Sequence, residues 1–134
     1  MIPIILQHLL GDRESISVFG SDYPTPDGTG VRDYIHVMDL ASGHVKALAW
    51  LQSKPSIQAF NLGTGIGYSV LDMLKAFEES CGLTIPYKIV ERRPGDTAVC
   101  YAETSLAEKE LGWKANRSLS DMCSDTWNWQ KNNP

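Results

Sequence analysis

The run Phe60-Asn61-Leu62-Gly63-Thr64-Gly65-Ile66-Gly67-Tyr68-Ser69-Val70-Leu71-Asp72-Met73-Leu74 carries an apolar stretch into a glycine-rich turn and out into a helix. Ser69 and Asp72 have capping-box spacing, and Tyr68 with Met73 occupy the staple positions that fix how a chain enters a helix. Val70, Leu74, Phe77 and Cys81 then fall on one helical face. Gly82 follows, a residue that adopts the left-handed helix end without a Cβ penalty. A strand over 57–62, a turn and a helix predict a mixed α/β fold.

Such a turn can hold phosphate at a helix N-terminus. Gly63, Gly65 and Gly67 complete neither G-x-G-x-x-G nor the G-x-x-x-x-G-K-Ser/Thr loop in any register, and Glu91 is too loosely spaced for a ribose-binding acid. A tight structural turn is the simpler reading, with a ligand-facing loop as its competitor.

Upstream, Ile4, Ile5, Leu9 and Leu10 predict an apolar helix face ending at Gly11, and a helix without a capped beginning is also what an excised fragment would show. Ile16, Val18 and Phe19 predict a short strand, broken by Gly20 and a loop rich in proline and glycine. A polar strand follows over 31–37, and Asp39 is placed to cap a helix reaching about Leu51, with Leu40, His44, Leu48 and Leu51 along one face. Downstream come a strand over 85–90, a helix capped by Ser105 with Glu108, and a last helix capped by Ser118 with Asp121. Leu119, Met122, Cys123 and Trp127 give that last helix an apolar side, from which Trp129 diverges.

A chain of 134 residues has room for one modest domain, and 43% hydrophobic with 21% charged residues is ordinary globular composition. The net charge of -4 supplies no general cationic field for nucleic acid or an anionic membrane. Residues 2–10 are too short to span a bilayer and lack a basic region or cleavage signal. Cys81, Cys100 and Cys123 have neither zinc-site spacing nor an even count for pairing, which points to a reducing compartment, the cytoplasm. Neither His36 nor His44 has a nucleophile and acid arranged beside it, so structural roles are the simpler reading for both.

The polar segments Val31-Arg32-Asp33-Tyr34 and Arg92-Arg93-Pro94-Gly95-Asp96 stand out. A guanidinium makes two directed bonds to a phosphate, and Asp33 or Asp96 could orient an arginine or accept a sugar hydroxyl. Solvated strand ends with local ion pairs are the simpler reading of the same residues.

The run from Gly28-Thr29-Gly30-Val31-Arg32-Asp33-Tyr34-Ile35-His36-Val37-Met38-Asp39-Leu40-Ala41, continued by Phe60-Asn61-Leu62-Gly63-Thr64-Gly65, Arg92 to Asp96 and Asp125 to Gln130, closely resembles extended short-chain dehydrogenase/reductases, within them the UDP-glucose 4-epimerases. The resemblance covers residues 1–134 and is to the carboxyl-terminal portion of such enzymes. It implies an α/β, UDP-sugar-binding portion lacking most of the Rossmann domain, with elements that pack on that domain. The family's amino-terminal glycine fingerprint for NAD and its Tyr-x-x-x-Lys group have no counterpart here. Accordingly no catalytic residue is assigned, NAD belongs to the full-length parent, and this chain alone is expected neither to bind NAD nor to be active.

The resemblance also implies site roles. Ser17, Val18 and Phe19 match the uracil-contacting strand, Arg32 a diphosphate-binding arginine with Tyr34 beside it, Arg93 a second phosphate contact, and Asp96 the carboxylate that accepts ribose hydroxyls. Val70 matches an apolar wall, and Cys100 a position where a small residue accompanies acceptance of UDP-N-acetylhexosamines. The implied activity of the parent, a homodimer in the resembling family, is interconversion of UDP-glucose and UDP-galactose through a 4-keto intermediate. Another UDP-sugar-modifying enzyme of the superfamily, or a noncatalytic nucleotide-sugar-binding module, remains as an alternative.

Overall fold

In the computed structural model, which describes residues 1–133, strand β1 (Ile16–Phe19) follows helix α1 (Ile2–Leu9) and pairs in parallel with the later strand β4 (Tyr87–Val90). A second sheet centres on β2 (Val31–Asp33), flanked by antiparallel β3 (Gly67–Ser69) and parallel β5 (Val99–Cys100). The helices between and after them are α2 (Val37–Ser53), α3 (Val70–Cys81), α4 (Ser105–Leu111) and α5 (Leu119–Asn132). The mixed α/β expectation is met.

The locally encoded features form as expected. Ser69 and Asp72 close a reciprocal capping box at α3, as do Ser118 and Asp121 at α5, and Gly82 ends α3 in the left-handed conformation at φ +71°. The alternation of β1 sends Ile16 and Val18 into a core with Ile5, Met73, Leu74, Phe77, Ile85 and the α5 residues Leu119, Met122 and Cys123. Burial, with Cys81 nearby, pushes the Cys123 thiol up to about 12, so this sulfur acts as a packed apolar group. A smaller cluster of Ala107, Leu111 and Trp113 joins α4 to α2.

Five expectations are corrected. The strand expected over 31–37 stops at Asp33, and the helix cap is His36 rather than Asp39: Met38 N–H donates to His36 Nδ1 at 3.1 Å. Asp39 lies inside the first turn and is buried. It accepts from the backbone N–H groups of Asn116 and Arg117 at 3.0 and 2.9 Å and from the Arg117 guanidinium at 2.6 Å. Burial raises the Asp39 carboxyl, but these bonds outweigh it and hold its pKa below the ordinary value.

The buried residues of α2 are Asp39 and Gly43, whereas His44, Leu48 and Leu51 are exposed. Close approach decides this: a Cβ at Gly43 would lie 2.8 Å from Leu62 and 3.2 Å from Trp113. Residues 57–62 form no strand, because no other strand among the described residues lies alongside to complete a ladder. Finally, α4 starts without a side-chain cap after Thr104, and Ser105 N–H donates instead to Glu103 Oε1 at 2.9 Å.

Candidate functional site: a cavity beneath two arginines

Strand alternation places Ser17 and Phe19 on the opposite face of β1 from Ile16 and Val18. There, with β2, the start of α3 and the loop after β4, they border a cavity of about 240 Å³. Arg32 and Tyr34 reach it from β2 and its continuation, Val70 from α3, and Arg93 and Asp96 from the loop. Seven of the nine residues expected at the site thus share one concavity. Val18 does not: the residue is 1% exposed and packs in the core. Cys100 is exposed in an adjoining hollow of about 640 Å³ that Arg32 also borders.

Asp96 sits between the two guanidinium groups. Arg93 Nε donates to Asp96 Oδ2 at 2.9 Å, and Arg32 Nη2 lies 3.9 Å from Asp96 Oδ1. Arg93 is also stacked over the Phe19 ring at 4.7 Å, and Arg32 is steadied by a 2.8 Å bond from Nη1 to the Val31 carbonyl. The loop can turn here because Gly95 holds φ +84°, a conformation that other residues strain to adopt. Tyr34 is half-buried, and burial raises its phenol pKa against the opposing pull of Arg32.

The neighbouring arginine has a different job. Arg92 pairs with Asp22 at 2.6 Å and covers the Tyr23 ring at 3.9 Å, fastening the loop base. Tyr23 itself borders the cavity, as does Ile4, and sequence reasoning missed both. Only their proximity in the folded chain marks them.

The glycine turn is structural. Asp33, on the strand beside Arg32, accepts from Thr64 N–H at 3.0 Å, Thr64 Oγ1 at 2.6 Å, Gly65 N–H at 3.0 Å and Ala102 N–H at 3.2 Å. A Cβ at Gly63 would lie 2.4 Å from Asp33 Oδ2, so glycine is required for this clasp. The start of α3 is equally committed: Val70 N–H donates to Thr29 Oγ1 at 3.2 Å, while the Ser69 hydroxyl bonds Asp27. The buried His36 is structural too, with Nε2 3.1 Å from Asp125 Oδ2. Among the described residues no group of side chains could hold a metal ion, and no helix is long and apolar enough to cross a membrane.

The sequence profile of the GDP-mannose 4,6 dehydratase family matches residues 1–126. The chain belongs to this family. Among similar members, the UDP-glucose 4-epimerase of Haemophilus influenzae is 61% identical over 134 residues, all of this chain and 40% of that protein. The human UDP-glucose 4-epimerase is 56% identical over all of this chain and 38% of its own length. The chain therefore spans about 40% of the family members it matches.

Solved structures agree. The UDP-glucose-4-epimerase of Stenotrophomonas maltophila, crystallised with NAD and formylated UDP-arabinopyranose, superposes with a TM-score of 0.94 at 54% identity over 98% of this chain and 39% of that one. The Bifidobacterium longum enzyme, in complex with NAD+ and UDP, gives 0.89 at 51% identity over 99% of this chain and 39% of that one. Sequence and fold thus agree that the chain is a portion of a member of this family.

Proposed function

We propose that the chain is the UDP-sugar-binding portion of an NAD-dependent UDP-glucose 4-epimerase, an isomerase of UDP-glucose and UDP-galactose. The meeting of Arg32 and Arg93 over one cavity carries this reading, because two planar forks converging on one spot suit a diphosphate. Phe19 would pack against uracil with the strand backbone at Ser17 and Val18 reading its edge, Asp96 would accept ribose hydroxyls, and Tyr34 and Val70 would wall the site. Arg32 borders both hollows, so the sugar would extend from the diphosphate toward Cys100. The small Cys100 side chain leaves room for an acetamido group, which supports UDP-GlcNAc and UDP-GalNAc as further substrates. Holding the nucleotide firmly while the sugar reorients would position the reacting carbon through remote binding.

The residues present do not fit NAD. The amides of the glycine turn already donate to Asp33, and a carboxylate there opposes a pyrophosphate. Hydride chemistry and the catalytic group belong to the rest of the parent, which we place in the cytoplasm as a homodimer. Titration of the chain with UDP, UDP-galactose and mannose should give saturable binding of the first two only. Arg32→Ala and Arg93→Ala should each weaken UDP about 10- to 100-fold, as expected for lost charge-assisted hydrogen bonds. Binding of UDP that ignores both substitutions would refute the cradle.

A further inference from the structure

We infer that Asp96 is a specificity-determining residue, discriminating against bare anions at the arginine pair and tolerating only an anion that also presents a ribose diol. The inference rests on the nucleotide reading above and adds a second, opposing role to the carboxylate. Two guanidinium groups on one cavity would by themselves attract any small phosphate. Here, however, Asp96 lies 2.9 Å from Arg93 Nε and 3.9 Å from Arg32 Nη2, on the same two groups that would hold the diphosphate.

A phosphate approaching those arginines meets a fixed negative charge at close range, in a site only partly open to water: the Asp96 side chain is 24% exposed. Inorganic phosphate or pyrophosphate has nothing to offset this repulsion. A nucleoside diphosphate does, because its ribose hydroxyls donate to the repelling carboxylate, and hydrogen bonds to an ionised acceptor are the stronger kind. The loop geometry keeps the carboxylate in place: Asp96 N–H closes a turn onto the Arg93 carbonyl at 3.3 Å, and Gly95 supplies the left-handed bend. Discrimination comes from a penalty common to all anions and a compensation available to one class.

Calorimetric titration of the unsubstituted chain, Asp96→Asn and Asp96→Ala with pyrophosphate, uridine and UDP separates the roles. Removing the charge should tighten pyrophosphate about tenfold in both variants, as loss of a near, partly screened like charge predicts. Uridine should weaken in the same proteins, so the two probes move in opposite directions. If pyrophosphate weakens together with uridine, Asp96 merely props the arginines and the inference is overturned. Unchanged pyrophosphate affinity with UDP still bound overturns the inference and leaves the nucleotide reading standing. Absence of saturable UDP binding by the unsubstituted chain overturns both.

Discussion

The two hydrophobic clusters differ in how completely the chain closes around them. The larger one, under the cavity, is sealed by α1, β1, α3 and α5, with Ile5, Met73, Phe77 and Cys123 at 0% exposure. The smaller, at Ala107, Leu111 and Trp113, is bordered by α2, whose Val45, Leu48 and Leu51 face outward, and by Ile57, which is fully exposed. Exposed apolar side chains along one helix are the kind of surface that packs against another body. The core under the cavity is closed at its centre, whereas the outer side of α2 stays open.

Three substitutions test this contrast. Phe77→Ala should have the largest effect, about 3–5 kcal/mol lost in denaturant unfolding, since the sealed core cannot collapse around so large a void. A loss below about 1 kcal/mol would mean that this core is loose in solution.

Asp39→Ala should cost about 2–4 kcal/mol by stranding the amides of Asn116 and Arg117 that Asp39 satisfies. The pH sign is fixed by the depressed carboxyl. Its contribution is complete above the ordinary aspartate value of 3.8 and vanishes as pH falls through the lower, folded value. The melting-temperature gap between the unsubstituted chain and Asp39→Asn should therefore narrow on acidification. A gap independent of pH would remove the charge from the explanation.

Leu48→Glu should be the mildest, within about 0.5 kcal/mol by the same unfolding measurement. Leu48 is 63% exposed, so this chain gains little from its apolarity. A loss comparable to Phe77→Ala would show that the α2 face is closed in solution and erase the contrast.

Most features whose causes lie within a few residues were legible in the sequence, the caps read at Asp39 and Ser105 being the exceptions. The boxes at Ser69 and Ser118, the Tyr68 and Met73 staple positions and the glycine ends of α3 and α4 all depend on neighbours along the chain. Features decided by distant partners were not. The apolar run 57–62 has strand composition, yet a strand exists only with a neighbour to bond. Leu48 and Leu51 look like a buried face, but Leu62 and Trp113 pack on Gly43 because it is small. The site divides likewise: charge alone could not separate Arg92, which fastens Asp22 and Tyr23, from Arg93 over the cavity. Family resemblance brought Arg32 and Arg93 together before any fold was available.

The start of α3 has a consequence for how a ligand could be gripped. Its amides are consumed by Thr29 and Ser69, so the helix end offers no rigid anion socket at Val70 or Asp72. An anion in the cavity would then fall to the long side chains of Arg32, on a strand, and Arg93, on a loop. Side chains of that length can follow a bound group over a short distance, which amides fixed in a helix end cannot.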